Sequence, residues 1–137
     1  MNFILDTNIC VHYLRGMFSI DDKIKTVGFS NCYISEITLA ELEFGVENSS
    51  KEYRDARRAG FNRFQSAFEK RVLPIRDGFS IYAINKARLR KQGLLISDFD
   101  LLIGCTALFH NMVIVTENIK EFERIDGIQI ENWVVRN

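Results

Sequence analysis

Three carboxylates stand where a bare charge needs a reason. Asp6 closes the apolar run Phe3-Ile4-Leu5 and opens a helix-like segment. Glu41 falls on the series Ile37, Ala40, Glu41, Phe44, whose i, i+3, i+4, i+7 spacing marks one inward-facing helix stripe. Asp100 begins a similar series with Ile103, Gly104 and Ala107, whose small members let a helix approach the sheet closely. An unpaired carboxylate on such a stripe is costly. Each acid has a local explanation: Asp6 and Asp100 as helix caps favoured by the dipole, Glu41 as half of a salt bridge. Brought to one place, the three would repel one another unless a divalent cation sat between them. Hard oxygen donors without His or Cys suit Mg²⁺ or Mn²⁺. Such an ion supports in-line hydrolysis of a phosphodiester by activated water.

Other metal chemistries find no footing. His12 and His110 have no partner at ligand spacing, and Cys10, Cys32 and Cys105 are far apart. The odd cysteine count, in apolar stretches, reads as buried thiols in a reducing cytoplasm. Glu43 reads as a solvated residue, and Asp98 as a cap or outer group.

The elements that must position the acids alternate. Apolar runs at 2–6, 32–34, 71–75, 112–116 and 128–130 read as strands. Helical patterns fill 7–15, 21–29, 35–47, 51–70, 77–92, 98–110 and 118–125. Thr7-Asn8, Ser35, Asp77 and Asn118 stand at helix starts, with Gly16 and Gly93 as stops. Tyr53, Ala56, Phe61, Phe64 and Phe68 line one apolar side of the long helix; Tyr53, Phe61 and Phe64 read as core, with a groove for a partner as the alternative. Strand–helix alternation predicts an α/β fold with a parallel sheet and helices on both faces. Functional groups then gather beyond the carboxyl ends of strands, where Asp6, Ser35 and Thr116 fall.

The 137 residues suit one domain, and 47% hydrophobic content can supply a core. No leader-like N-terminus and no apolar run of membrane-spanning length are visible. The net charge of zero hides a segregation: residues 51–97 carry 12 Lys/Arg against 4 Asp/Glu, while each flank carries 3 against 7. An acidic site beside a basic surface fits that pattern. Arg54, Arg57 and Arg58 on the long helix, and Arg88, Arg90 and Lys91 near the end of another, are the candidates for holding a nucleic-acid backbone. No Gly-rich phosphate loop is present, so nucleoside triphosphate chemistry is not indicated.

Four motifs in order carry a family resemblance: Leu5-Asp6-Thr7-Asn8-Ile9, then Ile37-Thr38-Leu39-Ala40-Glu41-Leu42 with Gly45, then Phe99-Asp100-Leu101-Leu102-Ile103-Gly104, then Val115-Thr116-Glu117-Asn118 with Phe122. The chain closes on Gly127-Ile128 and Glu131-Asn132-Trp133. It resembles PIN-domain ribonucleases, specifically the VapC toxins of bacterial toxin–antitoxin pairs, over nearly its whole length. The resemblance implies a single PIN domain over 1–137, a three-layer α/β/α sandwich around about five parallel strands. It implies RNA cleavage by metal-activated water, with Asp6, Glu41 and Asp100 as Mg²⁺ or Mn²⁺ ligands. Thr7 and Asn8 would shape the first turn, and Thr116 would bond Asp6 or a water. It further implies a homodimer and a VapB-like antitoxin across the active groove. One position departs: Asn118 stands where many members carry a fourth acid. Asn can coordinate through its carbonyl oxygen, directly or through water, but adds no charge, and neighbouring Glu117 is a candidate to supply it.

Competing classes are weaker. A phosphatase with a strand-end Asp would want a second Asp where Asn8 stands. A phospho-acceptor domain would want a Lys where Thr116 stands. A PIN domain that binds RNA or acts as a scaffold without catalysis remains the alternative, and Asn118 keeps it open.

Overall fold

The computed structural model describes residues 1–137. Strands β1 (Phe3–Leu5), β2 (Cys32–Ser35), β3 (Val72–Leu73), β4 (Val113–Val115) and β5 (Ile130–Glu131) form one sheet in the order β3-β2-β1-β4-β5. Every neighbouring pair is parallel. The helices are α1 (Thr7–Leu14), α2 (Ile20–Val27), α3 (Glu36–Glu47), α4 (Lys51–Phe68), α5 (Phe79–Gln92), α6 (Asp98–Phe109) and α7 (Ile119–Phe122).

Successive strand side chains face opposite layers, and that alternation divides the core. Phe3, Leu5, Cys32, Ile34, Val113 and Val115 pack with Ile9 of α1, Ile24 of α2, Leu42 of α3 and Phe61, Phe64 and Phe68 of α4. Ile4 and Ile114 face the other way, against Leu89 of α5, Leu101 and Ile103 of α6, and Phe122 of α7. The expected α/β/α sandwich with five parallel strands is therefore present.

This topology makes the carboxyl end of β1 a convergence point. The chain steps from β1 to β2 and β3 on one side, then returns to place β4 and β5 on the other. Neighbouring strand ends at such a reversal leave a crevice. The ladder continues one residue past two strands: Asp6 N donates to Val115 O at 2.9 Å, and Thr116 N to Glu131 O at 3.0 Å. Both residues are thereby fixed at the edge before their side chains are considered.

Several expected boundaries shift. The strand expected at 71–75 shortens to Val72–Leu73, because Pro74 lacks the N–H to extend the ladder. Residues 75–78 instead form a short 3₁₀ turn, so α5 begins at Phe79 rather than at Asp77. Asp77 does not cap α5; its carboxylate meets His110 Nε2 at 3.0 Å. The last strand sits later, at Ile130–Glu131. Asp6, not Thr7-Asn8, caps α1. Ser97, not Asp98, caps α6, its Oγ accepting from Asp100 N at 3.2 Å. Gly104 answers to the end of α7 and the segment after it rather than to the sheet: a Cβ there would lie 2.5 Å from Ile125 Cδ1 and 3.2 Å from Phe122 Cδ1. Tyr53 and Ala56 are not core: Tyr53 is 51% exposed and Ala56 also faces solvent.

Candidate metal centre

Asp6 is the innermost of the acids, 3% exposed in the crevice beyond β1. Its Oδ1 accepts from Thr7 N at 2.8 Å and its Oδ2 from Thr116 Oγ1 at 2.8 Å. Thr116 Oγ1 also accepts from Asn118 N at 3.0 Å, which leaves its proton for Asp6. Asp6 thus serves as cap and as buried acid together, one role for each oxygen.

Glu41 reaches the same edge from α3. Its Oε1 accepts from Thr7 Oγ1 at 2.6 Å, and Thr38 Oγ1 lies 3.0 Å from that hydroxyl. Thr7 gives its one proton to Glu41, so Thr38 donates to Thr7. The stripe that singled out Glu41 needs correction. Phe44 is 67% exposed and Ala40 also faces solvent. Ile37, Thr38, Leu42 and Val46 are the buried residues of α3, and Glu41 lies half-buried at their margin.

Asp100 sits half-buried in the first turn of α6, on the expected stripe with buried Ile103, Gly104 and Ala107. Asn118 Nδ2 approaches Asp100 Oδ2 at 3.4 Å. Asn118 occupies the N-cap position of α7, yet its side chain makes no capping bond; it turns to the acid instead.

The electrostatics follow from this crowding. Burial, above all, lifts the Asp6 carboxyl to a pKa of about 7, with the charges of Asp100 and Glu41 pushing the same way and the Thr116 and Thr7 hydrogen bonds opposing. Asp100 is also raised, first by its own burial, then by Glu41 and Glu121. No Lys, Arg or His pairs with Asp6, Glu41 or Asp100 among the ion pairs of the chain. The salt-bridge explanation for Glu41 therefore has no partner. Nearby, Asn8 Oδ1 is buried without any hydrogen-bond donor.

These residues fit a hard divalent cation. They offer oxygen donors only, an excess of negative charge, no counter-cation and one orphaned carbonyl oxygen. As placed, no three His, Cys, Asp or Glu side chains stand close enough together to hold an ion.

Glu117 does not join the set. Its Oε1 meets His12 Nε2 at 2.6 Å, and both oxygens accept from Arg136, at 2.8 and 3.1 Å. Those bonds hold its carboxyl below the usual range. Sequence reasoning passed over Glu121, whose charge is felt at Asp100. It lies three residues after Asn118, a spacing that puts the two on one side of α7. Asp98 stands apart, accepting from Lys86 Nζ at 2.7 Å and Tyr82 OH at 2.8 Å.

The basic candidates divide. Arg58 pairs with Glu43 and Glu47, and Arg54 and Arg57 donate to Ser49, so all three fasten α4 to the end of α3. Arg88 is held by Asn85, Arg124 O and Asp126. Arg90 and Lys91 are exposed and unpaired. The three cysteines are buried and free, with thiols raised by burial. No helix is long and apolar enough to cross a membrane.

A family model for the PIN domain matches residues 3–128, and the chain belongs to the PIN-domain family, in its VapC group. It is 36% identical over 135 residues to a protein named ribonuclease VapC2 from Rickettsia felis, covering 97% of this chain and 98% of that one. It is 34% identical over 134 residues to the tRNA(fMet)-specific endonuclease VapC of Salmonella typhimurium, covering 97% and 98%. The fold matches a chain in the crystal structure of VapBC2 from Rickettsia felis bound to a promoter DNA fragment. That match has a TM-score of 0.86 and 34% identity, over 97% of this chain and 99% of the other.

Proposed function

We propose that this chain is the toxin of a type II toxin–antitoxin pair and acts as an Mg²⁺-dependent endoribonuclease, with Mn²⁺ as a substitute. The observation that carries the reading is Asp6: a nearly buried carboxylate crowded by Asp100 and Glu41 without a counter-cation. The chain's likeness in sequence to proteins named as ribonucleases supplies the reaction class.

Asp6, Glu41 and Asp100 would hold the ion, with Asn118 contributing a neutral oxygen, directly or through water. When bound, Mg²⁺ neutralises charge on the scissile phosphate and supplies an activated water for in-line displacement. Thr116 and Thr7 orient Asp6 and Glu41 through their hydrogen bonds. Asn8 shapes the strand-to-helix turn and turns a free carbonyl oxygen to its surroundings. Glu117, tied to His12 and Arg136, takes an outer, structural part. The exposed basic side chains at the end of α5, Arg90 and Lys91, hold the RNA backbone.

Residues 1–137 act as one PIN domain in the cytoplasm, as a homodimer controlled by a VapB-like antitoxin. Solved relatives that are VapBC complexes support that partner. The Tyr53 end of α4 is suited to it: Val11, Leu14, Leu42, Val46 and Phe61 floor a groove there, rimmed by Arg15 and Arg63.

The test is cleavage of mixed RNA by antitoxin-free protein. The wild type cuts with Mg²⁺; EDTA and Asp6→Asn each abolish cutting. Intact RNA at every divalent concentration would refute the catalytic reading and favour an RNA-binding PIN domain, which the neutral Asn118 would then explain.

A further inference from the structure

An RNA strand that approaches three carboxylates meets repulsion, so a nuclease built this way needs free cations at the rim of its site. Half of the twelve cations of the basic middle segment are engaged. Arg54, Arg57 and Arg58 hold α3, and Arg88 holds the segment after α7. The outer face of α5 is different. Tyr82, Lys86 and Arg90 recur every four residues and so lie in one row, about 6 Å apart along the axis. Ala83 and Ala87 leave the surface between them low, and a shallow groove runs past Tyr82, Ala83, Lys86, Ala87, Arg90 and Lys91.

The row is tied to the first turn of α6. Lys86 Nζ donates to Asp98 Oδ1 at 2.7 Å and to Tyr82 OH at 3.1 Å, and Tyr82 OH donates to the same Asp98 oxygen at 2.8 Å. Asp98 opens α6, and Asp100 follows two residues later. The triad therefore pins the α5 face to the turn that presents one of the three acids. Beyond it, Arg90 and Lys91 in the last turn of α5 carry two exposed charges with no carboxylate against them.

Resting on the ribonuclease reading above, we propose that this α5 face is the track for the RNA backbone. Arg90 and Lys91 bind phosphates and the Tyr82–Lys86–Asp98 triad fixes the track beside Asp100. Arg54, Arg57 and Arg58 of α4, tied to α3, take no part. Phosphate contacts of this kind set the position of the strand and not its sequence preference.

The test measures binding of fluorescein-labelled single-stranded RNA of mixed sequence in EDTA, where no strand is cut, as a function of salt. Arg90→Ala/Lys91→Ala is expected to weaken binding for all sequences alike. It should lower the slope of log K against log salt by about 1.4, at roughly 0.7 for each lost phosphate contact to a single strand. The charge-keeping variant Arg90→Lys/Lys91→Arg restores the slope, which separates the effect from misfolding. Lys70→Ala, in the turn before β3 at the opposite edge of the sheet, leaves it unchanged. A wild type that cuts RNA while the double variant keeps the full slope overturns the track alone. A wild type that neither binds nor cuts RNA overturns the track together with the ribonuclease reading.

Discussion

Thr116 Oγ1 stands 2.8 Å from Asp6 Oδ2 across 110 residues of sequence, and the Asn118 N–H, 3.0 Å from the same hydroxyl, commits its proton to the acid. A hydrogen bond to the charged form favours that form. Thr116→Val keeps the shape and removes the donor, so the Asp6 pKa rises further. A bond to a charged group contributes about 1.5–3 kcal/mol. The expected result is a loss of about tenfold or more in kcat/KM at neutral pH, with the acid limb of the pH–rate profile moved to higher pH. Thr116→Ser should restore both. A Val variant with an unmoved acid limb would remove Thr116 from its positioning role.

Asp6 also makes stability depend on pH. Its folded pKa of about 7 lies above the ordinary value of 3.8. Between those values the folded state binds more protons than the unfolded one, so stability without metal falls as pH rises from about 4 to about 7. Below that window the contribution is fully present, and above it the loss is complete. A change on the order of a few kcal/mol is expected. Denaturant titrations in EDTA at a series of pH values measure it. Asp6→Asn should flatten the dependence, and Mg²⁺ should reverse its direction, since an ion stabilises the ionised acids.

Asn118 controls the charge of the site. Asn118→Asp places a fourth carboxylate beside Asp100, where the amide now approaches at 3.4 Å. Tighter Mg²⁺ binding and a lower melting temperature in EDTA are expected together, because the added charge helps only when an ion is present. Thermal melts with and without Mg²⁺ separate the two effects. A variant with unchanged Mg²⁺ affinity would place Asn118 outside the ligand set.

Packing on the α5–α6 side leaves no room at Gly78. A Cβ there would lie 2.9 Å from Thr106 N and 3.0 Å from the Cys105 carbonyl carbon, both backbone atoms that cannot turn aside. Gly78→Ala is expected to cost about 1–3 kcal/mol. Gly45, inside α3 with nothing near its Cβ position, should gain about 1 kcal/mol as Ala. Chemical denaturation of the two variants should give opposite signs.

The layers and the shared sheet edge were legible in the sequence because β1 and β4 are short, apolar and bounded by polar residues that end on the same sheet edge. The placement of Asp6 and Asp100 was legible for the reasons stated: one follows a strand, the other heads a stripe that is buried as expected. Glu41 was legible for a wrong reason. The apolar residue Phe44 suggested an inward stripe, yet α3 buries the face of Thr38, Leu42 and Val46, and Glu41 reaches the site through the Thr7 hydroxyl. Side-chain pairing was not legible at all. Nothing in the spacing of Arg58 shows that Glu43 and Glu47 neutralise it, or that Ser97 caps the turn that Asp98 was expected to cap. Such pairings depend on tertiary approach, which a periodicity does not encode. The i, i+3 relation of Asn118 to Glu121 was available in the sequence, and it is the one local signal that could have added a residue to the neighbourhood of Asp100.

Calorimetric titration of Mg²⁺ into the wild type and into Asp6→Asn/Glu41→Gln/Asp100→Asn tests the central claim most directly. The account expects saturable binding to the wild type at neutral pH, weakening as pH falls through the Asp6 pKa, and no binding to the triple variant. Equal Mg²⁺ binding by the two proteins would contradict a metal centre at these three acids.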